Sequence, residues 1–250
     1  MSLWLPVLAL AQESKPEDQI PDARLYALMQ EYEGDRAYEQ ALEICNELVK
    51  RSKAPAKLID HRGDLHFFLS RFKESIADYD TFLKAYPEQF PYHWRRGMTL
   101  YYASEFQKGV EQFESHKAVN PHDVENAVWH FICKARASSL DEARKQLIPI
   151  QGDGRIPMMT VHALFAQKAT VEDVLKDAET PAQPGRLKTQ RFYAHLYLGI
   201  YHEILGDTTK AAEHIKLAAN DYFQPPSYMG ESAKVHERYL KQLGVAKDAK

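Results

Sequence analysis

Residues 63–87 read GDLHFFLSRFKESIADYDTFLKAYP, and residues 97–121 read GMTLYYASEFQKGVEQFESHKAVNP. Laid over one another, the stretches share a glycine at the start (Gly63, Gly97) and a proline at the end (Pro87, Pro121), each pair 34 residues apart. Ser75-x3-Tyr79 in the first becomes Gly109-x3-Phe113 in the second. Carried outward, the small-residue position recurs at Ala41 and Ala143, and two further steps reach Ala211. A fixed period of this length belongs to stacked helix–turn–helix units, each burying its apolar face only against its neighbours. A small residue lets two antiparallel helices approach closely, and an aromatic four residues on fills the gap between pairs.

Counted from residues 41, 75, 109, 143, 177 and 211, six units fill about residues 22–225. Those at about 56–89, 90–123 and 192–225 are well formed; those at 22–55, 124–157 and 158–191 are degenerate. Gly206-Asp207 suits a tight interhelical turn, glycine taking left-handed torsions and aspartate capping the next helix. Pro87, Pro121 and Pro225 stand where one unit ends and the next begins. In the degenerate stretch, Asp123–Ala137 reads as one amphipathic helix, and Ser139-Leu140-Asp141-Glu142 opens another like a capping box. PIQGDGRIP (149–157) reads as a loop, and Thr170-Val171-Glu172-Asp173 caps a short helix to Ala178. The small position falls on Asp177, with Ala178 beside it, so either the register slips there or the match is accidental. Residues 181–185 break helix. Residues 226–250 form a tail in which Glu231–Leu243 makes a charged amphipathic helix, as a solvating end cap would. The expected fold is all-α: a right-handed solenoid of helical hairpins with a C-terminal capping helix.

The formal charge of −3, from 32 Lys+Arg against 35 Asp+Glu, provides no basic footprint for nucleic acid. No run of about 18 apolar residues is present to span a bilayer. Cys45 and Cys133 fall in the first and fourth units, too far apart for a bridge in a stack that contacts only neighbours, so each is expected to fill a helix face. Residues 1–21 form a separate segment. In it, Met1–Ala11, MSLWLPVLALA, resembles the end of a secretory signal with a small-x-small cleavage site, though without a basic start. That points to a periplasmic or secreted protein, with a frayed or docked segment in a cytoplasmic protein as the alternative.

The second, third and sixth units resemble the tetratricopeptide repeat (TPR) pattern W-x2-L-G-x2-Y, then A-x3-F and P. Within that superfamily the layout is similar to bacterial NlpI-type adaptors. The resemblance is carried by Arg96-Gly97, Leu100-Tyr101-Tyr102, Asn120-Pro121-x-Asp123 and Trp129, then by Phe192-Tyr193, Tyr197-Leu198-Gly199-x-Tyr201 and Leu205-Gly206-Asp207. It implies an envelope adaptor that docks proteases or cell-wall hydrolases. No cysteine precedes Cys45, so a lipid anchor is not supported.

The resemblance also implies a concave groove lined by the first helix of each pair. It projects Asp60, Asp64 and Phe67 inward, followed by Trp94, Met98, Tyr101 and Tyr102. Glu125, Arg136, Tyr193 and Glu203 follow from the later units. Rings beside isolated charges suit a peptide groove; the other reading is that several of these rings are inter-helix core. No cofactor is expected. The eleven histidines form no HExxH or comparable ligand set, and GDG at 152–154 lacks the flanking strand and lysine of a phosphate loop. The leading expectation is a non-catalytic scaffold for a protein or peptide partner. The rivals are a metal-dependent or hydrolytic enzyme built on the polar cluster at 116–130, and a structural homo-oligomer.

Overall fold

A computed structural model describes residues 20–181, 185–222 and 227–244; the signal-like stretch and Pro225 lie outside them. The described residues contain no strand. The chain runs α1 (Asp22–Gly34), α2 (Tyr38–Arg51), α3 (Ala56–Phe68), α4 (Phe72–Ala85), α5 (Trp94–Tyr102), α6 (Phe106–Lys117), α7 (Val124–Ala137) and α8 (Leu140–Lys145). It continues through α9 (Met158–Phe165), α10 (Val171–Ala178), α11 (Arg186–Ile204), α12 (Thr208–Lys216) and α13 (Tyr228–Gln242). A 3-10 segment, Pro87–Tyr92, precedes α5, and a π segment, Leu217–Asp221, follows α12. The helices pack as successive pairs, α1 on α2, α3 on α4, α5 on α6 and α11 on α12, and each early pair stacks on the next. The result is an all-α helical solenoid.

The 34-residue period has a direct steric cause. A Cβ added at Gly63 would sit 2.6 Å from the Tyr79 ring, and one at Gly97 would sit 2.6 Å from the Phe113 ring. At Gly199 the obstacle is Ile215, 2.5 Å away. In these three pairs the first helix must therefore present bare backbone to a bulky residue of the second. The small positions Ala41, Ser75, Ala143 and Ala211 are all fully buried. In the fifth unit Ala178 is the buried residue, while Asp177 accepts a hydrogen bond from the Thr160 hydroxyl at 2.6 Å. The register has slipped by one.

The turns repeat as well. Arg36, Ser70, Ser104 and Gly206 all have positive φ, at 57°, 59°, 61° and 82°. Each ends its helix with the same pair of backbone bonds. For Ser104 these are Ser104 N–H to Tyr101 C=O at 3.0 Å and Glu105 N–H to Leu100 C=O at 2.9 Å. A left-handed residue at this place satisfies the orphan carbonyls of the helix end, and a Cβ there is strained. Ser104 is exposed and its side chain has room to be removed. Ser104→Gly is expected to raise stability by about 0.5–1 kcal/mol, the relieved strain exceeding the added chain entropy; an unchanged or lower urea midpoint would contradict this.

Caps follow the local sequence. Asp207 accepts from Lys210 N–H at 3.1 Å, Ser139 from Glu142 N–H at 3.2 Å, and Thr170 with Asp173 forms a full capping box. Both cysteines are free and buried within helix faces. The largest core cluster runs from α3 to α13, with a smaller one under α1, α2 and α3.

Candidate interaction groove

The first helices of the pairs face one another across a shared interior. Phe67 of α3 meets Tyr102 of α5 at 5.7 Å, and Tyr101 of α5 donates to Glu203 of α11 at 2.8 Å. On α7, Arg136 also reaches Glu203, at 2.9 Å, and Glu125 accepts from Tyr197 of α11 at 2.6 Å. The structure thus brings Phe67 to Tyr102, and Tyr101 and Arg136 to Glu203.

The occupant of that interior corrects the expectation of an open groove. Helix α13 packs against α12, as an end cap does, and also against α3. Tyr228 stacks on Phe67 at 5.3 Å and stands edge-on to Trp94 at 5.1 Å; Tyr239 stands edge-on to Tyr102 at 5.2 Å. Phe67, Tyr101 and Tyr102 are therefore covered, and only Trp94 and Tyr193 keep partial exposure among the projected rings. The projected charges are also engaged. Arg95 bridges Asp60 (2.7 Å) and Asp64, Asp60 is also bonded to His93 at 2.7 Å, and Asp64 accepts from the Tyr79 hydroxyl at 2.7 Å. Burial raises the Asp64 carboxyl, and the Arg95 charge offsets only part of that. On Asp60 burial acts in the same direction, but His93 and Arg95 outweigh it and hold the carboxyl below its usual value.

Glu203 is the centre of a buried polar cluster to which four helices contribute. Besides Tyr101 and Arg136, it faces His236 of α13, whose Nε2 lies 3.2 Å from Oε2; the His236 Nδ1 is 3.0 Å from the Tyr102 hydroxyl. Burial pushes the Glu203 carboxyl up, yet His236, the Tyr101 hydroxyl and Arg136 together hold it below the usual range. A carboxylate with a depressed folded pKa contributes stability above its unfolded pKa, and that contribution is lost as pH falls through the folded value. Acidification from pH 7 to pH 3 is accordingly expected to destabilise the wild type more than Glu203→Gln, as seen in urea midpoints at the two pH values. Equal losses would contradict this role.

A second cluster joins α7 to the loop that precedes α9. Arg155 pairs with Asp123 (2.7 Å), Glu125 and Asp153 (2.6 Å), and its guanidinium lies 5.8 Å from the centre of the Tyr193 ring. Asp153 also accepts from Val124 N–H at 3.3 Å. The GDGR turn therefore clamps the start of α7. The sequence projection missed Arg155, whose only signal is an Asp-Gly-Arg turn between two prolines. It also missed Tyr228 and His236, which have no counterpart in the repeat.

The inner face borders a cavity of about 180 Å³ lined by Trp94, Met98, Glu125, Asn126 and Trp129, with Met229 of α13 also lining it. Burial raises the Glu125 carboxyl despite Arg155. In the polar block at 116–130, His116 bonds the Pro91 carbonyl at 2.8 Å, Asn126 donates to the Phe113 carbonyl at 3.3 Å, and Asp123 caps α7 through Glu125 N–H at 3.0 Å. His195 meets His214 at 2.8 Å between ring nitrogens, and His214 stacks on His202. Among the described residues no group of three or more His, Cys, Asp or Glu could hold a metal ion, and no helix is long and apolar enough to cross a membrane.

No family model and no curated protein sequence matches the chain. Solved structures do. A tetratricopeptide repeat protein from Parabacteroides merdae superposes with a TM-score of 0.54 over 91% of this chain and 87% of its own, at 17% identity. The fold is the TPR fold. MamA from Desulfovibrio magneticus, from residue 41 to its end, superposes with a TM-score of 0.50 over 82% of this chain and 97% of its own, at 16% identity.

Proposed function

We propose that the chain is a non-catalytic protein-interaction scaffold that holds a protein segment against the inner face of α5 and α7. The observation that carries this reading is the cavity at that face. The partly buried indole of Trp94 lines it with apolar Met98 and Trp129, and Glu125 and Asn126 supply polar groups. An aromatic anchor beside a few oriented polar groups is the composition of a side-chain subsite in a protein interface. Export to the periplasm or beyond belongs to the same proposal and rests on the small-x-small ending of Met1–Ala11.

The test uses capture from native extract with immobilised wild type and Trp94→Ala, both checked for helicity. Proteins retained by the wild type should drop at least tenfold on the variant. Equal retention by a folded Trp94→Ala would place the binding surface elsewhere.

A further inference from the structure

Three histidines stand in a row where α11 meets α12. Nδ1 of His195 lies 2.8 Å from Nδ1 of His214, and the His214 ring is stacked on that of His202, with ring centres 5.5 Å apart. His195 also stacks on Tyr222 at 5.2 Å. His202 is buried, whereas His195 and His214 are half-buried, so solvent protons reach the pair.

A bond between two ring nitrogens needs an N–H on one ring and a lone pair on the other. One proton added to the pair keeps that bond, because a charged ring still donates to a neutral one. A second proton removes the acceptor and sets two like charges against each other. A charge on His214, the middle ring, meets a histidine on each side. Other groups of both signs face the row. Glu179 beyond α10, Arg191 of α11 and Asp221 of the π segment act on His195; Asp207, Lys210 and Glu213 act on His202; and Lys210 and Asp207 act on His214. Burial is the largest influence on each ring and holds all three below the ordinary histidine value. On His214 burial, His195 and His202 act together and bring it down to about 4.

Helix α12 has little else to hold it. Of its nine residues Ala211 and Ile215 are the buried ones, whereas α4 and α6, the second helices of earlier pairs, bury six and five. An element with so little buried apolar surface opens locally at a lower cost than the whole fold.

We infer that His195, His202 and His214 form an acid-sensitive latch that holds α12 on α11 at neutral pH and releases it on mild acidification. This goes beyond the scaffold reading and does not depend on it. A base with a depressed folded pKa contributes stability that is fully present above its unfolded value and lost as pH falls to the folded one. For His214 the window runs from about 6.5 down to about 4. It begins above the range in which Glu203 takes up its proton. Helix α13 also packs on α12, so the release loosens the C-terminal end of the solenoid while the earlier pairs stay closed.

The test compares the full-length wild type with His214→Phe, which keeps a ring against His202 and removes the titrating nitrogens. Between pH 7.5 and pH 5.0 the urea midpoint of the wild type should fall at least twice as far as that of the variant, Glu203 being present in both. Equal falls overturn the inference. Hydrogen exchange of the wild type locates the effect, and decides alone if the variant does not fold. After correction for the intrinsic rate at each pH, amides of α12 should open at least tenfold more readily at pH 5.0 than at pH 7.5, and those of α5 and α6 less than threefold. A uniform change across the three helices, or no change in α12, overturns the latch.

Discussion

Arg95→Met is expected to lower the unfolding free energy by about 3 kcal/mol, near the low end for breaking a buried ion pair from one side. Arg95 reaches from the first turn of α5 back to α3, where its two terminal nitrogens engage Asp60 and Asp64 separately. Its guanidinium also lies 5.7 Å from the centre of the Tyr79 ring. Methionine keeps the apolar stem and removes the fork. Asp60 then retains His93, but the buried Asp64 retains only the Tyr79 hydroxyl. Burial already raises the Asp64 carboxyl, and without Arg95 it rises further. A carboxyl whose folded pKa lies above its unfolded value costs stability as pH rises past the unfolded value. The deficit should therefore be largest at neutral pH and shrink on acidification, and adding Asp64→Asn should recover more than half of it. Urea denaturation followed by tryptophan fluorescence measures both effects; a loss under about 1 kcal/mol at pH 7 would show that the pair does not hold α3 to α5.

Gly97→Val should cost about as much, roughly 3 kcal/mol, through overpacking rather than charge. The first added carbon would lie 2.6 Å from Cζ of Phe113, against an ordinary carbon–carbon contact of about 3.5–4.0 Å. Phe113 is fully buried, so its ring cannot swing into solvent, and the helices must part by about 1 Å. Valine adds two methyls to that first carbon and loses rotamer freedom within a helix. Gly34→Ala is the control. It sits in the last turn of α1 with nothing within 4 Å of an added Cβ, so it should be neutral or stabilising by up to about 1 kcal/mol. If Gly97→Val and Gly34→Ala left the urea midpoint equally unmoved, the close approach of α5 and α6 would not be what the period encodes.

These two substitutions separate what was legible in the sequence from what was not. Gly63 with Tyr79 and Gly97 with Phe113 recur because in these pairs a bare backbone and a bulky ring must meet, and such a constraint leaves a periodic trace. The left-handed turn at Gly206 was legible for the same reason. Arg36, Ser70 and Ser104 occupy the same place on the 34-residue ruler but are ordinary polar residues, so the turn is invisible there until the torsions are known. The inner-face helices could be ordered from their aromatics and charges. That Tyr101 and Tyr102 are covered could not, because the element covering them is not a repeat. Glu231–Leu243 reads as a charged surface helix, and its acid and histidine are buried only because Arg36, Tyr102 and Glu203 answer them from distant units. Arg155 was lost in the same way, its three carboxylate partners lying on two sequence segments about 30 residues apart.

The Tyr102–His236 bond spans 134 residues of chain, the Phe68–Arg238 bond 170 and the Arg36–Glu231 pair 195, in a fold whose early helix pairs stack on their neighbours. Solenoid pairs can form as soon as two consecutive helices exist, whereas contacts of such separation carry the full loop-closure entropy and form last. During synthesis α3 and α5 leave the ribosome well before α13. For that interval the rings of Phe67, Tyr101 and Tyr102 lack the Tyr228 and Tyr239 rings that cover them and keep only neighbours such as Phe72 and Trp129. Apolar surface of that kind exposes the nascent chain to aggregation over a window that closes only when α13 emerges.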